Sequence, residues 1–191
     1  MPYTTVQPPF TLEFDHMSRQ ELDAYATWFH GAIARRINEL TAAVRETPGF
    51  GGWRPDYTPA SLDHLGKWFA GQVEVRPRTR EESDEILGQQ PIPVGVPDQE
   101  LTNRTFSLAM DIGMYLSEVL MRNVSGLRWE QPLRDKHFAD YGQPVIVGAG
   151  TVPFNPVAIT VTLAYGIVRQ TKGAYRLREL YDIWSKLLRA V

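Results

Sequence analysis

Residues 18–44 read SRQELDAYATWFHGAIARRINELTAAV, and their spacing decides the class of fold. Leu22, Tyr25, Ala26, Phe29, Ile33, Ile37, Leu40 and Val44 recur at intervals of three and four. That period places them along one face of an amphipathic helix of about seven turns. Ser18 opens the helix. Glu21, three residues on, completes a capping box, in which each side chain takes the other residue's backbone N–H. Pro48 and Gly49 end it, since proline blocks the next turn and glycine favours a stop.

Upstream, residues 10–14 alternate apolar and polar side chains and predict a short strand. Downstream, residues 49–57 form a loop of glycines and aromatics. Thr58-Pro59 then reads as a cap and first-turn proline for a helix carrying Leu62, Leu65, Trp68 and Phe69. Thr79 and Glu82 repeat the capping box and predict a short acidic helix ending at Gly88. Residues 89–97 hold three prolines and read as an extended connector.

Residues 101–122 predict a long helix that is apolar over most of its circumference. Residues 127–133 and 144–148 read as two strands, joined by a polar, mobile connection over 134–143. Asn155-Pro156 is another cap and first-turn proline. It decides for helix over residues 157–168, although Val157, Ile159, Thr160, Val161 and Thr162 favour strand. Leu177, Leu180, Tyr181, Trp184, Leu187 and Leu188 give a last amphipathic helix.

The expectation is an α+β fold: one mostly helical domain over residues 1–191, with a small two- or three-stranded antiparallel sheet. No repeat, low-complexity tract or flexible linker divides the chain.

Composition narrows the function classes. A net charge of −2 gives no basic surface for nucleic acid or an anionic membrane. No run of ~18 apolar residues predicts a membrane-spanning helix. The absence of cysteine rules out disulfides, thiolate catalysis and cysteine-ligated zinc. With no secretion-type leader in the first ten residues, the expected location is the cytoplasm. No cofactor motif is present, and no metal site is expected. On the predicted helices no histidine has a second histidine or a carboxylate three or four positions away. Gly148-Ala149-Gly150-Thr151 lacks the spacing of a phosphate loop, and Pro153 and Pro156 would break the helix that such a loop requires. No serine or threonine sits in a nucleophile-elbow context.

WFHGAIARRINEL at 28–40, TPASLDHLGKWF at 58–69, SLAMDIGMYLSEVL at 107–120, LRWE at 127–130 and GQPVIVG at 142–148 resemble an uncharacterised family of bacterial proteins of similar length. The family has no established activity, so the resemblance assigns no site residue. Small bacterial proteins of this type often accompany secreted toxins as immunity partners, and the resemblance implies that association by type.

One constellation remains. On the 101–122 helix, Asp111, Tyr115 and Glu118 fall within about 60° of each other, with Arg104 and Arg122 on the same line. Three readings apply to this polar stripe. It is a solvated edge of alternating charge, or a buried ion-pair network reaching Arg35 or Arg36, or the floor of a ligand site. The aromatics Phe50, Trp53 and Tyr57 of the 49–57 loop are a second candidate, as interface anchors or as a cover over helix ends. The preferred expectation is a non-enzymatic bacterial protein that binds another protein, with an immunity-type inhibitor as its specific form. The alternative is a small-molecule enzyme or binder working through Asp111, Tyr115 and Glu118.

Overall fold

The first helix of the computed structural model, which describes residues 3–89 and 97–189, starts at the expected cap. In α1 (Arg19–Glu46), Ser18 Oγ accepts the Glu21 N–H at 3.3 Å, and Glu21 returns a carboxylate to the Ser18 N–H at 2.7 Å. Seven of the eight apolar positions read from the period are buried, and Arg36 is buried with them.

α2 (Ser61–Ala70) starts later than Thr58-Pro59 suggests. Asp56 accepts both the backbone N–H and the hydroxyl of Thr58, so that side chain turns back and caps nothing. Residues 58–63 climb into the helix by a tighter three-residue pitch, with Thr58, Pro59 and Ala60 carbonyls accepting from Ser61, Leu62 and Asp63. The capping box at Thr79 does form and opens α3 (Arg80–Gln89). Arg76 and the Thr79 N–H both hydrogen-bond Glu82, holding its carboxyl down to about 2.

Two strand pairs accompany the helices. β1 (Val75–Pro77) and β2 (Gln99–Leu101) pair antiparallel, with Arg76 opposite Glu100. This pair was not expected: residues 89–97 read as connector, and 90–96 lie outside the described residues. Leu101 belongs to β2 and not to the helix after it. β3 (Arg128–Glu130) and β4 (Val145–Val147) form the expected second pair, extended by a bridge from Ile146 to Phe154. The fold is α+β and mostly helical, with two small antiparallel sheets.

Residues 10–14 are not a strand. Leu12 adopts a φ of +64° and the chain turns at Glu13. The alternation has another cause: Phe10 and Phe14 set their rings edge-on to Tyr25 of α1, at 5.5 and 5.0 Å.

α4 (Asn103–Asn123) lies at the centre, capped by Thr102, and packs against α1 and against α5 (Pro156–Val168). Asn155 caps α5 through the Ala158 N–H, as the sequence indicates. Gly113 permits the α4–α5 crossing, because a Cβ there would stand 2.7 Å from the Pro156 carbonyl oxygen. The Thr160 hydroxyl ties the same crossing to the Ala109 carbonyl at 2.7 Å. α6 (Arg176–Leu187) closes the structure against α2. Among the described residues no helix is long and apolar enough to cross a membrane.

Two of the helical glycines, Gly31 and Gly113, separate packing from propensity. Gly31 lies mid-helix with nothing within 4 Å of a built Cβ. Chemical denaturation of Gly31→Ala is expected to show a gain of about 1 kcal/mol. Gly113→Ala is expected to lose about 1–3 kcal/mol through overpacking against Pro156.

Candidate functional site

The polar stripe of α4 does not converge on one site. Asp111 has no exposed surface and faces Arg36 of α1, itself 1% exposed. Arg36 Nε and Nη2 each donate to a separate Asp111 oxygen at 2.7 Å, a bidentate pair. The Tyr3 hydroxyl donates to Asp111 Oδ2. Arg36 spends further donors on the Thr4 carbonyl at 2.9 Å and on Tyr3 Oη at 2.9 Å. Ser107 Oγ sits 2.7 Å from Tyr3 Oη and accepts the Val6 N–H at 2.6 Å. The segment 3–6 is thereby tied across α1 and α4.

Burial pushes the Asp111 carboxyl above its ordinary range, while the Arg36 and Tyr3 hydrogen bonds pull it back. Burial works against the charge of Arg36, yet the Asp111 partnership raises the guanidinium overall. Three donors aimed at two oxygens suit a carboxylate and not the protonated acid, so both groups are charged. Among the described residues no buried side-chain nitrogen or oxygen lacks a partner.

Tyr115, one turn on, is buried in a different cluster. Its hydroxyl accepts the Tyr57 N–H at 3.1 Å and shares a hydrogen bond with Ser61 Oγ at 2.7 Å. Its ring lies 5.4 Å from both Trp53 and Tyr57. Tyr57 holds a left-handed φ of +59°, a conformation that costs a non-glycine residue energy. Tyr115 and Asn123, which donates to the Tyr57 carbonyl at 2.8 Å, secure it there. Trp53 is buried and gives its indole N–H to the Ser61 carbonyl. Phe50 is half-buried against the core. The aromatic loop thus folds back over α2 and α4.

Glu118 pairs with Arg122 at 3.2 Å near the surface, and Arg122 stacks 3.4 Å above the centre of the Tyr57 ring. Arg104 turns away to Gln72 and Glu74. Five of the better-formed clefts on the described surface are all lined by residues other than Asp111, Tyr115 and Glu118.

The largest of those clefts, about 750 Å³, lies on the outer face of the β3–β4 pair. The register explains its floor. Trp129 and Ile146 face the core, where Trp129 packs on Phe29 and His30. Their neighbours Glu130, Val145 and Val147 therefore face the other way, and all three line the cleft. One wall is residues 131–135 with Phe138, the other is Gly150, Thr151 and Pro153, and Arg19 stands at the start of α1. The first wall is fixed at its stem: Gln131 Nε2 donates to the Leu22 and Gly142 carbonyls at 2.8 and 2.7 Å. The second wall rests on α6, where the Gly150 N–H caps the Leu188 carbonyl at 3.1 Å. A Cβ at Gly150 would lie 1.9 Å from the Leu187 carbonyl oxygen, which explains glycine in the 148–151 run.

Comparison with protein-family models, with curated proteins and with solved structures found no match.

The sequence alone did not reveal this cleft, yet a signal was present. Val145-Ile146-Val147 is apolar on both faces of a strand whose partner reads Arg-Trp-Glu. A sheet with one face on the core has no need of apolar residues on the other unless something covers them, and here the chain itself covers Val145 completely and Val147 in part.

The two clusters make separable demands on stability. Tyr115→Phe strands the Tyr57 N–H and is expected to cost about 1–3 kcal/mol in urea unfolding. Glu118→Gln breaks a partly exposed pair and is expected to change stability by less than about 1 kcal/mol.

Proposed function

We propose that this chain is a non-catalytic protein-binding module acting in the bacterial cytoplasm. The carrying observation is the cleft over β3–β4, a concave surface floored by the half-buried Val147 beside the fully buried Val145, with walls anchored at Gln131 and Gly150. Its volume falls within the ~300–1,000 Å³ range of ligand pockets, and a surface cleft of that size suits a segment of a larger partner. The aromatic side chain of Phe138, 40% exposed, lies on its wall. Exposed aromatic and aliphatic groups around a depression are what a partner anchors on.

The alternative reading requires a concavity above Asp111, Tyr115 and Glu118. The first two are instead engaged in internal hydrogen bonds, so no observation favours it. The family resemblance suggests the specific form of the binding role, an immunity-type inhibitor that holds a toxin.

The test is pairwise calorimetry of the full chain against the products of its neighbouring genes. A stoichiometric complex, with protection of cells from a toxin among those products, is expected. The proposal fails if none binds and crosslinking in the native host yields no specific partner.

A further inference from the structure

The Arg36–Asp111 cluster is covered by a stretch of chain that little else holds. Arg36 and Ser107 are 1% exposed and Asp111 not at all, yet Tyr3, Thr5 and Val6 are only half-buried and Thr4 is exposed. Among the described residues, residues 3–12 make no backbone-to-backbone hydrogen bond. Residues 3–6 are held by the side chains of Arg36, Ser107 and Asp111, and by Tyr3 and Val6 lying against the core. A segment with so few ties opens at a small fraction of the cost of unfolding the whole chain. Pro8 and Pro9 follow it, and having no N–H they strand no backbone donor when it lifts.

The contacts form a pattern. The Tyr3 hydroxyl donates to Asp111 and accepts from Arg36 Nη2 at 2.9 Å. The carbonyl one residue on, that of Thr4, accepts from Arg36 Nη1 at 2.9 Å. The N–H three residues on, that of Val6, donates to Ser107 Oγ at 2.6 Å. Apart from the tyrosine hydroxyl, every group read here is backbone, so another segment that carries a tyrosine offers the same set. The bidentate Arg36–Asp111 pair keeps both receiving side chains oriented without help from residues 3–6. A cleft of about 420 Å³ already runs beside the stretch, with Tyr3 and Thr4 on one side and Arg35, Asn38 and Glu39 of α1 on the other.

We infer that Arg36, Ser107 and Asp111 form a docking site for a tyrosine-bearing segment of a partner protein, filled in the free chain by its own residues 3–6. The class of occupant follows from what the site holds. An incoming tyrosine segment replaces each hydrogen bond that residues 3–6 give up, so the buried pair is not left unsatisfied by the exchange. This site is separate from the β3–β4 cleft and stands whether or not that cleft binds a partner.

The experiment uses the full chain with a capped Tyr-Thr-Thr-Val peptide, its counterpart with phenylalanine in place of tyrosine, and p-cresol. In Tyr3→Gly, which vacates the hydroxyl position, the tyrosine peptide is expected to bind about 10-fold or more tightly than the phenylalanine peptide, because it restores hydrogen bonds to charged groups. p-Cresol, which has the hydroxyl but no backbone, is expected to bind more weakly than the tyrosine peptide. In the native chain the Val6 N–H is expected to exchange with deuterium faster than those of Leu40 and Leu116. Adding the tyrosine peptide should speed Val6 further and leave the other two unchanged. This second measurement stands alone if Tyr3→Gly does not fold. The inference is overturned if the two peptides bind Tyr3→Gly equally, or if neither binds at millimolar concentration. p-Cresol binding as tightly as the tyrosine peptide would overturn it too, since the site would then read a phenol and not a segment. So would a Val6 N–H that exchanges no faster than Leu40 and Leu116, or that ignores the peptide.

Discussion

Arg36 and Asp111 meet where neither has contact with water, and the arrangement of α1 and α4 depends on that meeting. A charge taken into an apolar interior loses several kcal/mol of hydration, and only a well-formed pair with its remaining hydrogen bonds satisfied offsets the loss. Here the satisfaction is complete. The carboxylate takes two guanidinium donors and a tyrosine hydroxyl, and the guanidinium reaches two further oxygens on the segment 3–6. The helices cannot slide by a turn without stranding a charge. The pair works as a register lock more than as a source of stability.

The lock shapes the structure around it. Because the pair needs Tyr3 and Thr4 for its last hydrogen bonds, the stretch ahead of α1 is laid across both helices. Phe10 and Phe14 then fall on Tyr25, nearer the start of α1. On its other side α4 must accept α5 at close range, and Gly113 permits it. A second polar knot, in which Arg78 and the Tyr165 hydroxyl both engage Glu100, joins β2 to α5. With these contacts made, the polar groups of the central helix are largely occupied. The largest of the clefts described lies elsewhere, on the outer face of β3–β4.

Features fixed by neighbours in sequence were legible. The capping boxes at Ser18 and Thr79 and the Asn155-Pro156 start are local hydrogen-bond patterns, and each forms. Thr58 misled because Asp56, two residues earlier, competes for the same groups. The β1–β2 pair was hidden because three-residue strands, one ending in proline, carry almost no periodic signal. The stripe on α4 was visible as a pattern, but the division of its members between Arg36, Ser61 and Arg122 is a tertiary fact. Arg36 was among the partners expected for a buried network, and the helical period separates it from Arg35, since Arg36 falls within the apolar stripe of α1 and Arg35 on the far side. The cleft needed the β3–β4 register before its floor could be assigned.

The measurement that tests the central claim is a double-mutant cycle with Arg36→Met and Asp111→Leu, read by chemical denaturation. If the pair is a fully desolvated lock, each single change costs about 3–5 kcal/mol, because it strands the partner's charge. The double change should then recover most of the loss, leaving a coupling energy well above the ~0.5 kcal/mol expected of independent sites. Two single losses that simply add in the double variant would contradict the account, since they would mean that the two groups do not depend on each other.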